Sequence, residues 1–255
     1  ELDRISEEVW SVGIGIPGFS SRQTGIITNA NSLWLNDKPF KKDLELALNR
    51  EVRLMNDANC FTLSEAVDGA GKDYKSIFGI IIGTGFGGGL SYNKSIIEGS
   101  NQIAGDWGHQ PLPYPTKEEQ ETKISCPSNN CGRPLCAEQF MSGIGFKDRF
   151  NQKHDTNFTS EEIVKLDLEN DPRANLELGL YEDRMARLMS VMIGIFDPDA
   201  IILGGGMSNI DRFYKNIPTL IPKYTFSNKV ETKVLKNLHG DSSGVRGAAW
   251  LWNNE

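Results

Sequence analysis

Four residues in the middle of the chain carry the donor set of a metal site. His109, Cys126, Cys131 and Cys136 supply one imidazole and three thiolates, the ligands of a closed tetrahedral structural zinc site that leaves no position open for catalysis. Buried, unliganded cysteines are the plainer alternative, but three cysteines within eleven residues of a polar loop do not read as core packing. Cys60, beside Phe61 on an expected helix, reads as a small core residue. His154 and His239 lie outside the cluster and take no metal role.

Three further segments could do chemistry. Asn56-Asp57-Ala58-Asn59 falls where a strand ends and a helix begins. There a carboxylate points into a cleft and Asp57 is a candidate base for a ligand hydroxyl, or Asp57 is simply the helix N-cap. Gly83-Thr84-Gly85-Phe86-Gly87-Gly88-Gly89 holds five glycines in seven residues. Such a turn can present successive N–H groups to phosphate oxygens, with Thr84 adding a hydroxyl, or it is a glycine-rich hairpin with no ligand. Gly204-Gly205-Gly206-Met207-Ser208 places small residues at the carboxyl end of a strand, where α/β folds bind ligands. It matches neither the dinucleotide nor the P-loop spacing, and a tight strand-to-helix connection also accounts for it.

The elements that must position these groups are readable from hydrophobic spacing. The stretch Leu2 to Ser11 reads as the end of an amphipathic helix, and Val12 to Ile16 as a strand stopped by Pro17-Gly18. A helix is expected over Lys41 to Asn49, a strand over Val52 to Met55, and a helix over Asn59 to Gly69. Ile77 to Ile82 is a continuous apolar run, as in a strand buried on both faces. Leu90 to Tyr92 and Ser95 to Glu98 suit hairpin strands. A Pro-rich loop is expected from Pro111 to Ser125, then helices over Ala137 to Phe150, Ser160 to Leu168 and Pro172 to Phe196. The last is expected to be apolar along Leu176, Leu180, Met185, Leu188, Met192 and Ile195, and to stop at Asp197-Pro198. A second buried strand, Ala200 to Leu203, precedes the second glycine turn. Strand, glycines, helix occurring twice makes two related α/β lobes the economical architecture.

Bulk properties bound the function. At 255 residues the chain can bury a sizeable core. With 38% hydrophobic residues, it contains no apolar run near the roughly 20 residues of a membrane helix. A net charge of −7 with scattered Lys and Arg argues against a polyanionic partner such as nucleic acid. The crowding of three cysteines, with no disulfide framework, favours a reducing, cytoplasmic compartment. The start is acidic and polar, without the order of a secretory peptide and without Met, so the chain is expected to be cut or incomplete.

Taken in order, Asn56 to Asn59, Ile82 to Gly89, Ala104-Gly105-Asp106-Trp107-Gly108-His109, Cys131 through Glu138, and Leu203 to Gly206 resemble the motif set of ROK sugar kinases (repressor, open reading frame, kinase). The tail from His239 to Trp252, and Asn29-Ala30-Asn31-Ser32 with Trp34-Leu35-Asn36, look particularly like bacterial fructokinases. The resemblance implies an α/β, actin-like, hexokinase-type (ribonuclease H-like) two-lobed ATPase fold. Residues 1–75 with 244–255 would form a partial small lobe, and 76–243 a larger lobe holding the zinc loop. It implies that ATP and a hexose meet between the lobes with Mg²⁺, that the 6-hydroxyl is phosphorylated, that D-fructose is the preferred sugar, and that the chain forms a homodimer.

On the same resemblance Asp57 is the catalytic base. Gly18, Asn31, Asn56, Asp106, His109 and Glu138 contact sugar. Gly83, Thr84 and Gly85 face the phosphates, and Gly204, Gly205 and Gly206 the adenosine side. His109 would serve twice, one ring nitrogen on zinc and the other toward sugar.

The chain also departs from the family. Asp106 replaces the usual Glu, Cys126 and Cys131 are separated by four residues where one is usual, and Leu135 replaces a usual Gly. The Asp-x-Gly-x-Thr strand and turn with which these kinases begin does not precede Val12. The first lobe is therefore expected to be incomplete and this chain to be a poor kinase. Two rival readings are a sugar-sensing ROK repressor body and a non-catalytic zinc-stabilised interaction module. N-acetylglucosamine, glucose and mannose stand behind fructose as substrates.

Overall fold

The computed structural model describes residues 10–122, 124–127, 131–227 and 229–252. The expected helix ending at Ser11 lies almost wholly outside them. In chain order the elements are β1 (Val12–Ile16), β2 (Phe19–Ser20), β3 (Ile27–Thr28), α1 (Phe40–Leu48), β4 (Val52–Asn56) and α2 (Asp57–Val67). Then come β5 (Ser76–Ile82), β6 (Phe86–Tyr92), β7 (Ser95–Ile96), α3 (Lys117–Gln120), α4 (Ala137–Met141) and α5 (Gly143–His154). The chain ends with α6 (Ser160–Leu168), α7 (Pro172–Phe196), β8 (Ala200–Gly204), α8 (Arg212–Leu220), β9 (Lys233–Lys236) and α9 (Ser243–Trp250).

A five-stranded sheet in the order β7-β6-β5-β8-β9 forms the centre of the molecule. β5, β8 and β9 run parallel, and β6 and β7 extend the sheet antiparallel. Because β5 is covered on both faces, its apolar run is continuous. Phe78, Ile80 and Ile82 face α4, α5, α7 and α8 through Phe140, Phe146, Tyr181, Met185 and Phe213. Ile77 and Ile202 meet Phe61 and Ala66 of α2 on the other side. A separate parallel pair, β1 with β4 in the register Val12↔Val52 to Ile16↔Asn56, packs beside the short β2–β3 hairpin over Ile16, Ile27, Ala30 and Leu35. α9 returns to pack on β1 and α2.

Four sequence expectations change. Gly87, Gly88 and Gly89 are not in the turn but inside β6, paired with Ile81, Ile80 and Gly79, so the first glycine run leads into a strand rather than a helix. The reason is proximity: a Cβ on Gly89 would sit 2.6 Å from Asn59 Oδ1, and one on Gly88 2.8 Å from Gly79 O. The helix expected over Ala137 to Phe150 is broken at Ser142, which is extended (φ −67°, ψ 155°) and caps α5 by accepting from Gly145 N–H at 3.0 Å. The loop from Pro111 to Ser125 contains α3, opened by a capping box between Thr116 and Glu119. Finally, Leu176 and Ile195 of α7 are exposed; the buried face runs instead through Leu178, Tyr181, Met185, Leu188 and Met192.

That buried face also carries charge. Arg184 Nε donates to Glu119 Oε1 at 2.7 Å, and Arg187 donates to both Glu119 oxygens and to the Pro113 and Tyr114 carbonyls. All three side chains are almost fully buried. Burial alone would push the Glu119 carboxyl up, but hydrogen bonds from Arg187, the Thr116 N–H and Arg184 hold it down at about 2. The network fastens the segment leading into the cysteine loop onto α7. Removing one partner strands two buried cations, so Glu119→Gln should lower unfolding free energy by about 3–5 kcal/mol in urea denaturation. Because the folded carboxyl is depressed, the wild-type contribution is full above the ordinary value of 4.5 and is lost as pH falls toward about 2. Glu119→Gln should lack that acid-side loss.

Candidate active site

The helix N-cap at the head of α2 is Asn56, not Asp57. Asn56 Oδ1 accepts from the N–H groups of Ala58 (3.0 Å) and Asn59 (3.3 Å), and its Nδ2 donates to Gly18 O at 3.4 Å. Asp57, the first helical residue, accepts from Ala58 N–H at 2.8 Å and otherwise opens into a cleft of about 600 Å³. Its surface is exposed to the cleft, yet the walls crowd it, and this desolvation raises its carboxyl above the ordinary 3.8 against the pull of the Ala58 N–H.

The cleft gathers every residue expected to touch sugar: Gly18, Asn31, Asn56, Asp57, Asp106, His109 and Glu138. Gly18 is required by contact, since a Cβ there would lie 2.8 Å from Ala30 Cα. Asn31 is held by its N–H to Pro17 O at 3.0 Å, and Asn36 clamps both the N–H and the carbonyl of neighbouring Ala30. Glu138, on α4, is buried; its Oε2 accepts from Phe86 N–H at 3.2 Å and its Oε1 from Cys126 Sγ at 3.5 Å. Burial raises the Asp106 carboxyl, with His109 opposing and Glu138 reinforcing.

Sequence reasoning gave no cleft role to Asn29, which it named only within a motif, or to Ile103, Gln110 and Arg133, all of which line the cleft. Arg133, whose Nη1 donates to His109 O at 3.1 Å, was findable as the one basic residue between Cys131 and Cys136.

The cysteine cluster forms one wall of this cleft. The ligand atoms of His109, Cys126, Cys131 and Cys136 all lie within 4.8 Å of one another. Cys136 Sγ is 3.4 Å from both His109 Nδ1 and Cys126 Sγ. Tetrahedral zinc with three thiolates and one imidazole needs donor separations of roughly 3.5–3.8 Å, so the group fits this ion after a small contraction. Without a cation, burial pushes the Cys136 thiol up to about 11; a bound dication reverses that balance and stabilises the thiolate. With Nδ1 turned to the thiols, the other ring nitrogen of His109 is left for the cleft. The altered spacing from Cys126 to Cys131 does not prevent the four from meeting.

A second cavity of about 610 Å³ lies beyond the β5–β6 turn. Gly83 and Thr84 line both cavities. Gly83 N–H is taken by Gly85 O and Gly83 O by Gly143 N–H, which fixes the turn and leaves Thr84 exposed at the junction. Of the three later glycines only Gly206 lines the second cavity. Gly204 backs onto the Phe61 ring, 2.4 Å from a Cβ position, and Gly205 takes φ +79° in the turn against Ile82. Ile144, Lys147, Thr159, Ser160, Glu161, Val164, Met207, Asn209 and Ile210 supply the remaining wall. The signal for two of these segments was the Thr159–Glu162 capping box and the Ser142 cap.

The chain belongs to the ROK family, which it matches over residues 1–255. It is 36% identical over 241 residues to an N-acetyl-D-glucosamine kinase of Vibrio cholerae serotype O1, covering 94% of this chain and 80% of that protein. Its structure superimposes on a ROK hexokinase from Thermus thermophilus (TM-score 0.78, 24% identity, 94% of this chain and 77% of that one). It also superimposes on a ROK family glucokinase from Streptomyces griseus in complex with glucose and AMPPNP (TM-score 0.80, 23% identity, 97% and 83%). The fold is thus the α/β, actin-like hexokinase type. The fructokinase branch read from the tail is not where the 36% relative points. Among the described residues no helix is long and apolar enough to cross a membrane.

If the cysteine wall holds zinc, the purified protein should carry one zinc per chain by elemental analysis, and Cys136→Ser should lose it. Stripping the metal should lower the thermal midpoint and weaken sugar binding together, because His109 belongs to both.

Proposed function

We propose that this protein transfers the γ-phosphoryl group of ATP, supplied as its Mg²⁺ complex, to the 6-hydroxyl of N-acetyl-D-glucosamine. The observation that carries the reading is the place of Asp57, on the floor of a hydroxyl-reading cleft that shares Gly83 and Thr84 with a second, more apolar cavity. The named relative supports this sugar over fructose.

In this reading Asn56, Asp106, His109 and Glu138 orient the sugar, with the Gly18 turn and Asn31 closing the pocket. Asp57 accepts the proton of the attacking hydroxyl as the phosphoryl group arrives past Gly83, Thr84 and Gly85. Catalysis here is chiefly positioning and charge stabilisation, since phosphoryl transfer asks little covalent work of the protein. The metal bound with the nucleotide neutralises phosphate charge. Zinc, held by His109 and the three cysteines, would shape the sugar wall without taking part in transfer. The two lobes are those proposed from the sequence, 1–75 with 244–255 and 76–243. The fold alone does not separate a kinase from a sugar-sensing regulator; turnover does.

A coupled ADP-release assay, on protein expressed with any segment that precedes Glu1 in its gene, should give N-acetyl-D-glucosamine the highest kcat/KM among that sugar, glucose, mannose and fructose. Preference for fructose would restore the branch read from the tail. Asp57→Asn should cut kcat by about 10²–10⁴, and undiminished turnover would remove Asp57 from the mechanism. Since the base works as a carboxylate and its pKa is raised by desolvation, kcat should fall on the acid side through an apparent pKa above 3.8.

A further inference from the structure

Resting on the reading of the cleft as an N-acetyl-D-glucosamine site, we propose that Arg133, beside Asp106 and Ile103, reads the 2-acetamido group and sets the preference for this sugar over glucose. An acetamido group combines an N–H donor, a carbonyl acceptor and a methyl, where glucose has one hydroxyl. A wall that selects it must offer an acceptor, a donor and an apolar contact side by side.

One turn supplies two of the three. Ile103 O accepts from Asp106 N–H at 3.1 Å, so both side chains leave the same tight turn, and both line the cleft. Gly105 fixes that turn against β6: its φ is +87°, and a Cβ there would lie 2.8 Å from Gly89 Cα. The Asp106 carboxylate is partly desolvated and has no hydrogen-bond donor among the described residues; the acetamide N–H is a fitting one. Ile103 is 48% exposed. Alone an exposed isoleucine means little, but here it stands next to an unpaired carboxylate in a sugar cleft, where a methyl would cover it.

Arg133 supplies the third group. Its Nη1 donates to His109 O at 3.1 Å, which ties the guanidinium to the cysteine wall. Its other N–H groups have no partner among the described residues, and Arg133 lies close enough to Asp106 to lower that carboxyl's pKa, as His109 does. A guanidinium fixed by one N–H keeps its other donors in a rigid plane, ready for a carbonyl oxygen.

The position along the cleft agrees. Asp57 takes the 6-hydroxyl, and in a pyranose C2 stands across the ring from C5, which carries C6. Arg133, His109 and Glu138 act electrostatically on Asp106, whereas none of these four acts on Asp57. The group around Arg133 thus stands apart from the base, where the 2-substituent falls.

The test is the ratio of kcat/KM for N-acetyl-D-glucosamine to that for glucose, beside calorimetric affinities of both sugars, in protein expressed with any segment that precedes Glu1 in its gene. Arg133→Ala should cut the ratio about tenfold, and Ile103→Asn severalfold, in both measurements, since only the acetamido sugar loses the contact. A merely structural role for Arg133 in the cysteine loop would depress both sugars alike. An unchanged ratio in Arg133→Ala therefore overturns the inference, whatever Ile103→Asn does, while leaving the kinase reading standing. Wild-type protein that phosphorylates glucose as well as N-acetyl-D-glucosamine, or transfers to no hexose, overturns the inference and the proposed function together.

Discussion

The close packing of α2 is the constraint on which the rest of the structure depends. This helix lies between the five-stranded sheet and the β1–α9 layer, and on each side it is approached by backbone that carries no Cβ. A Cβ on Gly79 would lie 2.2 Å from Thr62 Oγ1, one on Gly89 2.6 Å from Asn59 Oδ1, and one on Gly247 1.7 Å from Cys60 O. None of these separations is possible between real atoms, so only glycine lets the three layers meet. Buried Glu65, two turns along the helix, completes the fastening by accepting from Ala70 N–H, Leu238 N–H and Ser243 Oγ.

With α2 held in this way, its first turn has one place to be. Asn56 takes the capping duty, which leaves the outer face of Asp57 to the cleft. The β5–β6 turn stands opposite because β6 must run close along α2. Glu138 joins this turn to the cysteine loop, one oxygen on Phe86 N–H and the other on Cys126 Sγ. The Glu119–Arg184–Arg187 network anchors the other end of that loop to α7. The cleft is therefore assembled from three directions, and its geometry follows from packing far from the reacting atoms.

Much of this was legible in the chain. The runs Val12 to Ile16 and Ile77 to Ile82, and helices such as α6, follow from period and punctuation, and the strand-to-helix junction at Asn56-Asp57 marked the cleft floor. What was not legible depended on tertiary proximity. Gly87 to Gly89 look like turn residues until α2 is placed against them. Leu176 and Ile195 continue an apolar stripe of α7 that the surrounding helices do not reach, while Arg184 and Arg187 are buried because Glu119 meets them. The second cavity was mostly missed because its wall is apolar and distributed over α5, α6 and the turn after β8. No single segment advertises it.

The most direct measurement is a crystal structure with N-acetyl-D-glucosamine and a non-hydrolysable ATP analogue bound together. The account predicts the sugar 6-oxygen within about 2.6–3.2 Å of an Asp57 carboxylate oxygen, with the γ-phosphate on the far side of that oxygen beside Gly83 and Thr84 and the base in the cavity beyond. A sugar bound in the cleft with no hydroxyl near Asp57, or a γ-phosphate directed away from it, would contradict the account.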